Sequence, residues 1–388
     1  MQGQGLGRRT SPAPQVKAPR LHCHHRRRTI MQATPAPKTG HHIVESALRE
    51  EALSKFFPDN LNLTCSPTSG GVNNVCQYVD TSDGHRYLLR IYNNGGRSDK
   101  VEYEHRVLQE LQKHQSKLSF CVPKALPSKA NKPHELLSNG AECCVFEIIP
   151  GTLAKTTSPQ EVGRATGQLS AAMSLVHVDM VAPTARYTDV FLAHHAMNRD
   201  LFYSEVANNP AFNVCREAID YLTDEIRAIE KKLERFNAMD LPMSMIHGDL
   251  HYDNVMVVGD QVSGLLDFEF CLYDWRAMEL AVALSKYVGE DQPLPLCEEF
   301  ITGFVEHGEL TDAEIDIIPD LINLRIFSNV VYFIGRAVSK EDSIDSLTSR
   351  AGTYAKRVRW VNANAAALSA QIRNKMAALK QQPQTVLA

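Results

Sequence analysis

Apolar residues recur at helical spacing from His42 to Phe57, where Ile43, Ala47, Leu48, Ala52 and Phe56 share one side, so the pattern predicts a helix that Pro58 ends. Two β-type runs follow, Val72 to Val79 and Arg86 to Tyr92, joined across Ser82-Asp83-Gly84, whose composition suits a hairpin turn. Asp99 to Lys117 sets Val101, Leu108 and Leu111 among charges and reads as a helix. Ala141 to Ile149 is a short run of apolar and branched residues, suited to a buried strand, and Pro150-Gly151 breaks it.

Beyond that break the period changes to 3.6. Val162, Ala165, Leu169, Met173 and Val176 line one helix face, and Ala211 to Phe236, Trp275 to Tyr287 and Ala313 to Gly335 are similar. The expected fold class is α+β, a bilobal arrangement with a small antiparallel β lobe over 45–149 and a larger helical lobe over 150–388. A last helix, with Tyr354, Val358, Val361, Ala365, Leu368, Ile372, Met376 and Leu379 in steps of three and four, packs on the large lobe or pairs with a second chain. The first alternative is preferred, and the oligomeric state stays open.

Composition narrows the class of partner. With 388 residues, 44% apolar, the chain can bury a core of two-lobe size, and its formal charge of −4 provides no field for nucleic acid or an anionic membrane. A small molecule is the expected partner. We find no apolar run of the ~20 residues that a membrane-spanning helix requires, so no membrane partner is expected. The nine cysteines, an odd number without zinc-type spacing, suit a reducing compartment.

Residues 1–44 differ from the rest. They hold Arg8, Arg9, Lys17, Arg20, Arg26, Arg27, Arg28 and Lys38, several prolines, and no acidic residue before Glu45. This composition predicts a removable transit peptide, with chloroplast preferred to mitochondrion because the prolines interrupt an amphipathic helix. A disordered basic tail on a cytoplasmic protein, or a true start at Met31, are the alternatives.

The chemistry concentrates in Met245 to Phe270, MIHGDLHYDNVMVVGDQVSGLLDFEF. An apolar approach leads to His247-Gly248-Asp249, Asn254 follows five positions later, and after a short strand, Val255 to Val258, a second strand ends at Asp267. Two carboxylates and an amide thereby fall on adjacent loops, a set that phosphoryl transfer needs for orienting an attacking hydroxyl and holding magnesium on nucleotide phosphates. The alternative is structural: buried Asp and His satisfy loop backbone groups, and Asn caps turns.

The H-G-D-x-x-x-x-N pattern followed by hydrophobic-D-F-E resembles the aminoglycoside phosphotransferase and choline kinase superfamily, which shares the protein-kinase-like fold. Protein kinases carry Arg where Gly248 stands and Gly where Glu269 stands, and no A-P-E motif follows Asp267. The resemblance implies ATP and Mg2+ as cofactors, Asp249 as catalytic base with His247 bracing its loop, and Asn254 and Asp267 as metal ligands. It extends over most of 57–336. Gly70, Gly71 and Asn73 match a phosphate-covering loop, although such residues also make ordinary turns. Arg90 stands where the family places Lys; it keeps the charge but carries a bulkier fork, and the other reading is an arginine facing solvent. Glu104 matches the helix glutamate that pairs with this position, with Glu102 as competitor two residues away. Glu147 and Ile149 match the hinge that holds adenine, or else belong to a plain core strand.

Downstream, Asp274 reads as a helix N-cap before Glu279, which is given a structural role. Arg276, Tyr287, Asn329, Tyr332 and Arg336 are candidates for acceptor contact. Leu321 to Arg336 resembles the type II homoserine kinase-like subgroup, which makes homoserine the first acceptor to test; choline, ethanolamine, methylthioribose, hydroxylysine and sugars use the same scaffold. A non-catalytic pseudokinase that binds or scaffolds is the second function class, and a protein kinase the third.

Overall fold

The computed structural model describes residues 46–68, 74–92 and 97–381, all within the unit Lys38–Ala388, and statements of absence below refer to these residues. The predicted opening helix is α1 (Ser46–Phe56), which buries Ala52, Leu53 and Phe56. The chain then builds a five-stranded antiparallel sheet from β1 (Leu63–Pro67), β2 (Val75–Thr81), β3 (Arg86–Ile91), β4 (Glu135–Leu136) and β5 (Glu142–Glu147), in the spatial order β1-β2-β3-β5-β4. The hairpin turn falls where Gly84, at φ +89°, takes a left-handed conformation that side chains resist. Helix α2 (Ser98–Gln112) follows β3, shorter than the predicted span because a separate 3-10 turn, Gln115–Lys117, takes its end.

Past Pro150 come β6 (Thr152–Leu153) and the helices α3 (Pro159–Met173), α4 (Arg199–Asn208) and α5 (Arg216–Asn237). Four short strands then carry the chemical segment: β7 (Met243–Ile246), β8 (Val255–Val258), β9 (Gln261–Leu265) and β10 (Leu272–Trp275). β6 and β9 flank β8 in one small sheet, and β7 pairs antiparallel with β10 in another, so the loops after β7 and after β9 are brought side by side. Helices α6 (Ala277–Tyr287), α7 (Pro293–Phe304), α8 (Asp312–Val338) and α9 (Asp345–Gln381) complete the chain.

Helix α9 packs along α8, α5 and α7 within its own chain, the preferred of the two expectations. A capping box opens α8: Thr311 Oγ1 accepts from Glu314 N at 3.2 Å and Glu314 Oε2 accepts from Thr311 N at 2.7 Å. Pro319 lies inside this helix and has no N–H for the carbonyl of Ile315 four residues earlier. Ser369 on α9 donates its Oγ–H to that carbonyl at 3.1 Å instead. One membrane expectation needs correction. α8 is long and apolar enough to cross a membrane by composition, but 67% of that window is buried in the protein, as befits a core helix.

Candidate active site

The polar groups of the His247–Asp267 segment are fastened to one another by local hydrogen bonds. Gly248 adopts φ +78°, and a Cβ there would meet the carbonyl oxygen of Phe270 at 2.4 Å, so only glycine lets the loops after β7 and β9 approach this closely. His247 is fully buried; its Nε2 donates to Leu266 O at 2.9 Å and its Nδ1 accepts from Asp249 N at 3.3 Å. Burial holds the imidazole pKa below its ordinary value, and the neutral tautomer with Nε2–H satisfies both partners. Beneath it Glu279 accepts from His247 N at 2.6 Å, and burial pushes the Glu279 carboxyl up to about 7.

Asn254 closes the same loop. Its Nδ2 donates to the backbone oxygen of Asp249 at 2.9 Å, while its backbone carbonyl accepts from Leu266 N at 2.9 Å. Asp267, the next residue, sits at φ +68°, ψ +63°, a left-handed conformation that costs a non-glycine residue about 1–2 kcal/mol. Such strain persists where neighbours over-determine it, and here the bonds to Leu266 on both sides do so.

From the sheet side, Arg90 on β3 reaches across. Its Nη1 donates to Glu104 Oε1 on α2 at 3.0 Å, and its Nη2 to Asp267 Oδ1 at 2.9 Å and Glu269 Oε2 at 3.5 Å. Glu104, not Glu102, is therefore the residue paired with Arg90; Glu102 points to Arg106 and His134. Glu104 also accepts from Tyr92 OH at 3.1 Å, and its burial outweighs the attraction of Arg90, lifting the carboxyl to about 7. Arg90 is only 12% exposed, so the reading of an edge arginine facing solvent does not hold. Its Nε–H has no acceptor among the described residues, which leaves a buried donor available to an anion.

Asp249 itself is held by a residue that sequence reasoning did not single out. Arg325 on α8 pairs through Nη2 with Asp249 Oδ1 and through Nη1 with Asn329 Oδ1, the latter at 2.7 Å. His251 Nε2 lies 3.7 Å from the same Asp249 oxygen. Tyr187 donates to Gly248 O at 2.5 Å and places its ring 5.9 Å from the Arg325 guanidinium carbon.

The other expected positions have different outcomes. Gly70, Gly71 and Asn73 lie outside the described residues; their neighbour Asn74 donates to Glu269 Oε2 at 3.2 Å. The Glu147 side chain faces Lys124 at 2.6 Å and its N–H donates to Lys124 O at 3.0 Å, so that N–H is not available to an adenine. Ile149 packs over Gly264 of β9. Asp274 does not cap α6, whose N-cap is Arg276. Its carboxylate is taken by Tyr187 N at 2.7 Å, Trp275 N at 2.8 Å and Arg186 at 3.2 Å. Two acceptor candidates fail: Tyr287 is 0% exposed, and Arg276 is spent on Glu314 at 3.0 and 3.1 Å. Asn329, Tyr332 and Arg336 remain, on one stripe of α8 with Arg325.

The donors suit a hard divalent cation. Asn254 has turned its amide nitrogen to Asp249 O, which leaves the amide oxygen for a ligand, and Asp267 supplies a carboxylate. Several known proteins are similar to this chain. A homoserine kinase of Zymomonas mobilis is 27% identical over 281 residues, covering 70% of this chain and 82% of that protein. Two solved structures share the fold at 16% identity. An aminoglycoside phosphotransferase from Alicyclobacillus acidocaldarius has a TM-score of 0.58 and covers 88% of this chain and 98% of its own. An amicoumacin kinase in complex with AMP-PNP, Ca2+ and its substrate has a TM-score of 0.57 and covers 82% and 93%. The model of the phosphotransferase enzyme family matches residues 64–312, well over half of the sequence, and the chain belongs to that family.

Proposed function

We propose that this protein transfers the γ-phosphoryl group of ATP to the hydroxyl of homoserine or a closely related amino alcohol. The observation that carries the reading is the set Asp249, Asn254 and Asp267 on two adjacent loops, where Asn254 Nδ2 donates to Asp249 O and Leu266 N, beside Asp267, donates to Asn254 O. The homoserine kinase relative, spanned over most of its length, supports the acceptor. An AMP-PNP complex of a protein with this fold supports ATP.

In this reading Asp249 accepts the proton of the attacking hydroxyl, and His247, out of reach of any ligand, sets the position of Asp249 rather than reacting. Arg90 draws phosphate oxygens and Glu104 holds its fork in place. Asn254 and Asp267 would hold Mg2+, which neutralises charge on the phosphates. Residues 1–44 act as a plastid transit peptide in the same proposal; mass spectrometry of the native protein, finding a chain that starts near residue 45, tests it.

The acceptor is tested by measuring ADP release from ATP with homoserine, choline, ethanolamine, hydroxylysine and methylthioribose. Homoserine is expected to have the highest kcat/KM. A higher value for another alcohol overturns the choice of homoserine, and no ADP release at all overturns the kinase reading.

A further inference from the structure

Resting on the kinase reading above, we infer that Arg325 is the residue that binds a carboxylate on the acceptor and so selects amino acids over simple amino alcohols. The geometry begins with Asp249. Any hydroxyl that gives up its proton to this carboxylate must arrive beside the Arg325 guanidinium, which is bonded to the same carboxylate. Arg325 is 15% exposed, so part of its side chain remains open to a ligand.

Its donor capacity exceeds its use. A guanidinium has five N–H donors in a planar fork, and among the described residues the side chain bonds only Asn329 and Asp249. The remaining donors match the two oxygens of a carboxylate. The surrounding charges support the sign. Arg336, further along the stripe, has Glu341 and Asp342 each at 3.7 Å, whereas the carboxylate that Arg325 holds is the reactive one itself. A carboxylate-free acceptor such as 3-aminopropan-1-ol offers the fork no anion and leaves those donors unfilled. Homoserine has the same hydroxyl and ammonium and adds the anion that the fork fits.

The experiment compares kcat/KM for L-homoserine and for 3-aminopropan-1-ol in the wild type, Arg325→Gln and Arg325→Lys, with AMP-PNP binding by calorimetry as the check that each variant is folded. The wild type is expected to favour homoserine. Loss of charge-assisted hydrogen bonds in Arg325→Gln is expected to lower that preference about 100-fold, through KM for homoserine, with part of it restored in Arg325→Lys. If Arg325→Gln depresses both substrates equally, the residue only positions Asp249 and the inference falls. If Arg325→Gln does not bind AMP-PNP, Arg325→Lys decides: an unchanged preference despite the lost fork overturns the inference, and a reduced one upholds it. A wild type that prefers carboxylate-free alcohols overturns the inference and leaves the kinase reading standing; no turnover of any alcohol overturns both.

Discussion

Arg90 Nη1 stands 3.0 Å from Glu104 Oε1, an ion pair between the central sheet and helix α2 whose arginine also grips Asp267. One guanidinium does by two nitrogens what an ammonium must do from a single point. Arg90→Lys keeps the charge and gives up one of these bonds. Loss of a charge-assisted bond worth about 1.5–3 kcal/mol is expected to raise KM for ATP about ten- to hundredfold. Steady-state kinetics at saturating acceptor measure it, and an unchanged KM would show that Arg90 does not meet the nucleotide.

Asp249 and Asp267 should separate into two roles. Asp249→Asn removes the proposed proton acceptor and is expected to cut kcat by about 10²–10⁴ while calorimetry finds AMP-PNP binding retained. Asp267→Ala removes the proposed metal ligand, and its expected effect is weakened binding of the Mg2+ nucleotide in the same titration. Equal effects of both substitutions on binding and turnover would contradict the assignment.

The pH dependence of stability should carry the mark of Glu279. Its carboxyl titrates near 7 in the fold against 4.5 when free, so the native state binds the extra proton more readily than the unfolded chain. Its contribution is full below pH 4.5 and is lost as pH rises toward 7, by about 3 kcal/mol for the whole shift. Glu279→Gln retains an acceptor for His247 N and removes that loss. Urea unfolding at pH 5 and pH 8 is expected to show a smaller difference for the variant than for the wild type; identical differences would refute the cause. Glu104, raised in the same direction, leaves a residual slope in both.

Gly248→Ala tests the closeness of the two loops. An added Cβ would lie 2.4 Å from Phe270 O in a backbone of positive φ, so the loops must part. A fall in melting temperature together with at least tenfold lower kcat is expected, since small misplacements of reacting groups cost up to 10²-fold. A fully active alanine variant would mean that the loops tolerate separation.

How much of this was readable beforehand depends on how local each signal is. The loops around Asp249 and Asp267 were legible because their spacing is short and each strand between them is bounded by polar residues; β8 falls on Val255–Val258 as expected. Arg90 and Glu104 were legible by their places on a strand and a helix. Arg325 was not, because it lies 76 residues from Asp249 and nothing in its own helix announces the partner. Helix α7 received no expectation; Pro293 and Pro295 stand in its first turn, where a missing N–H does no harm. Asp274 had the composition of a cap, and only the fold brings Tyr187 and Arg186 to claim it.

The proline within α8 gives the far end of the polypeptide an influence on the pocket. Ser369 is the group that quiets the carbonyl which Pro319 leaves open, and the same helix presents Arg325 two turns later. A chain cut short before Ser369 would strand that oxygen in an apolar interior at about 1–3 kcal/mol, a large share of a typical margin of about 5–15 kcal/mol. A truncation that removes Ser369 is thus expected to act on the helix that carries Arg325 without touching any ligand.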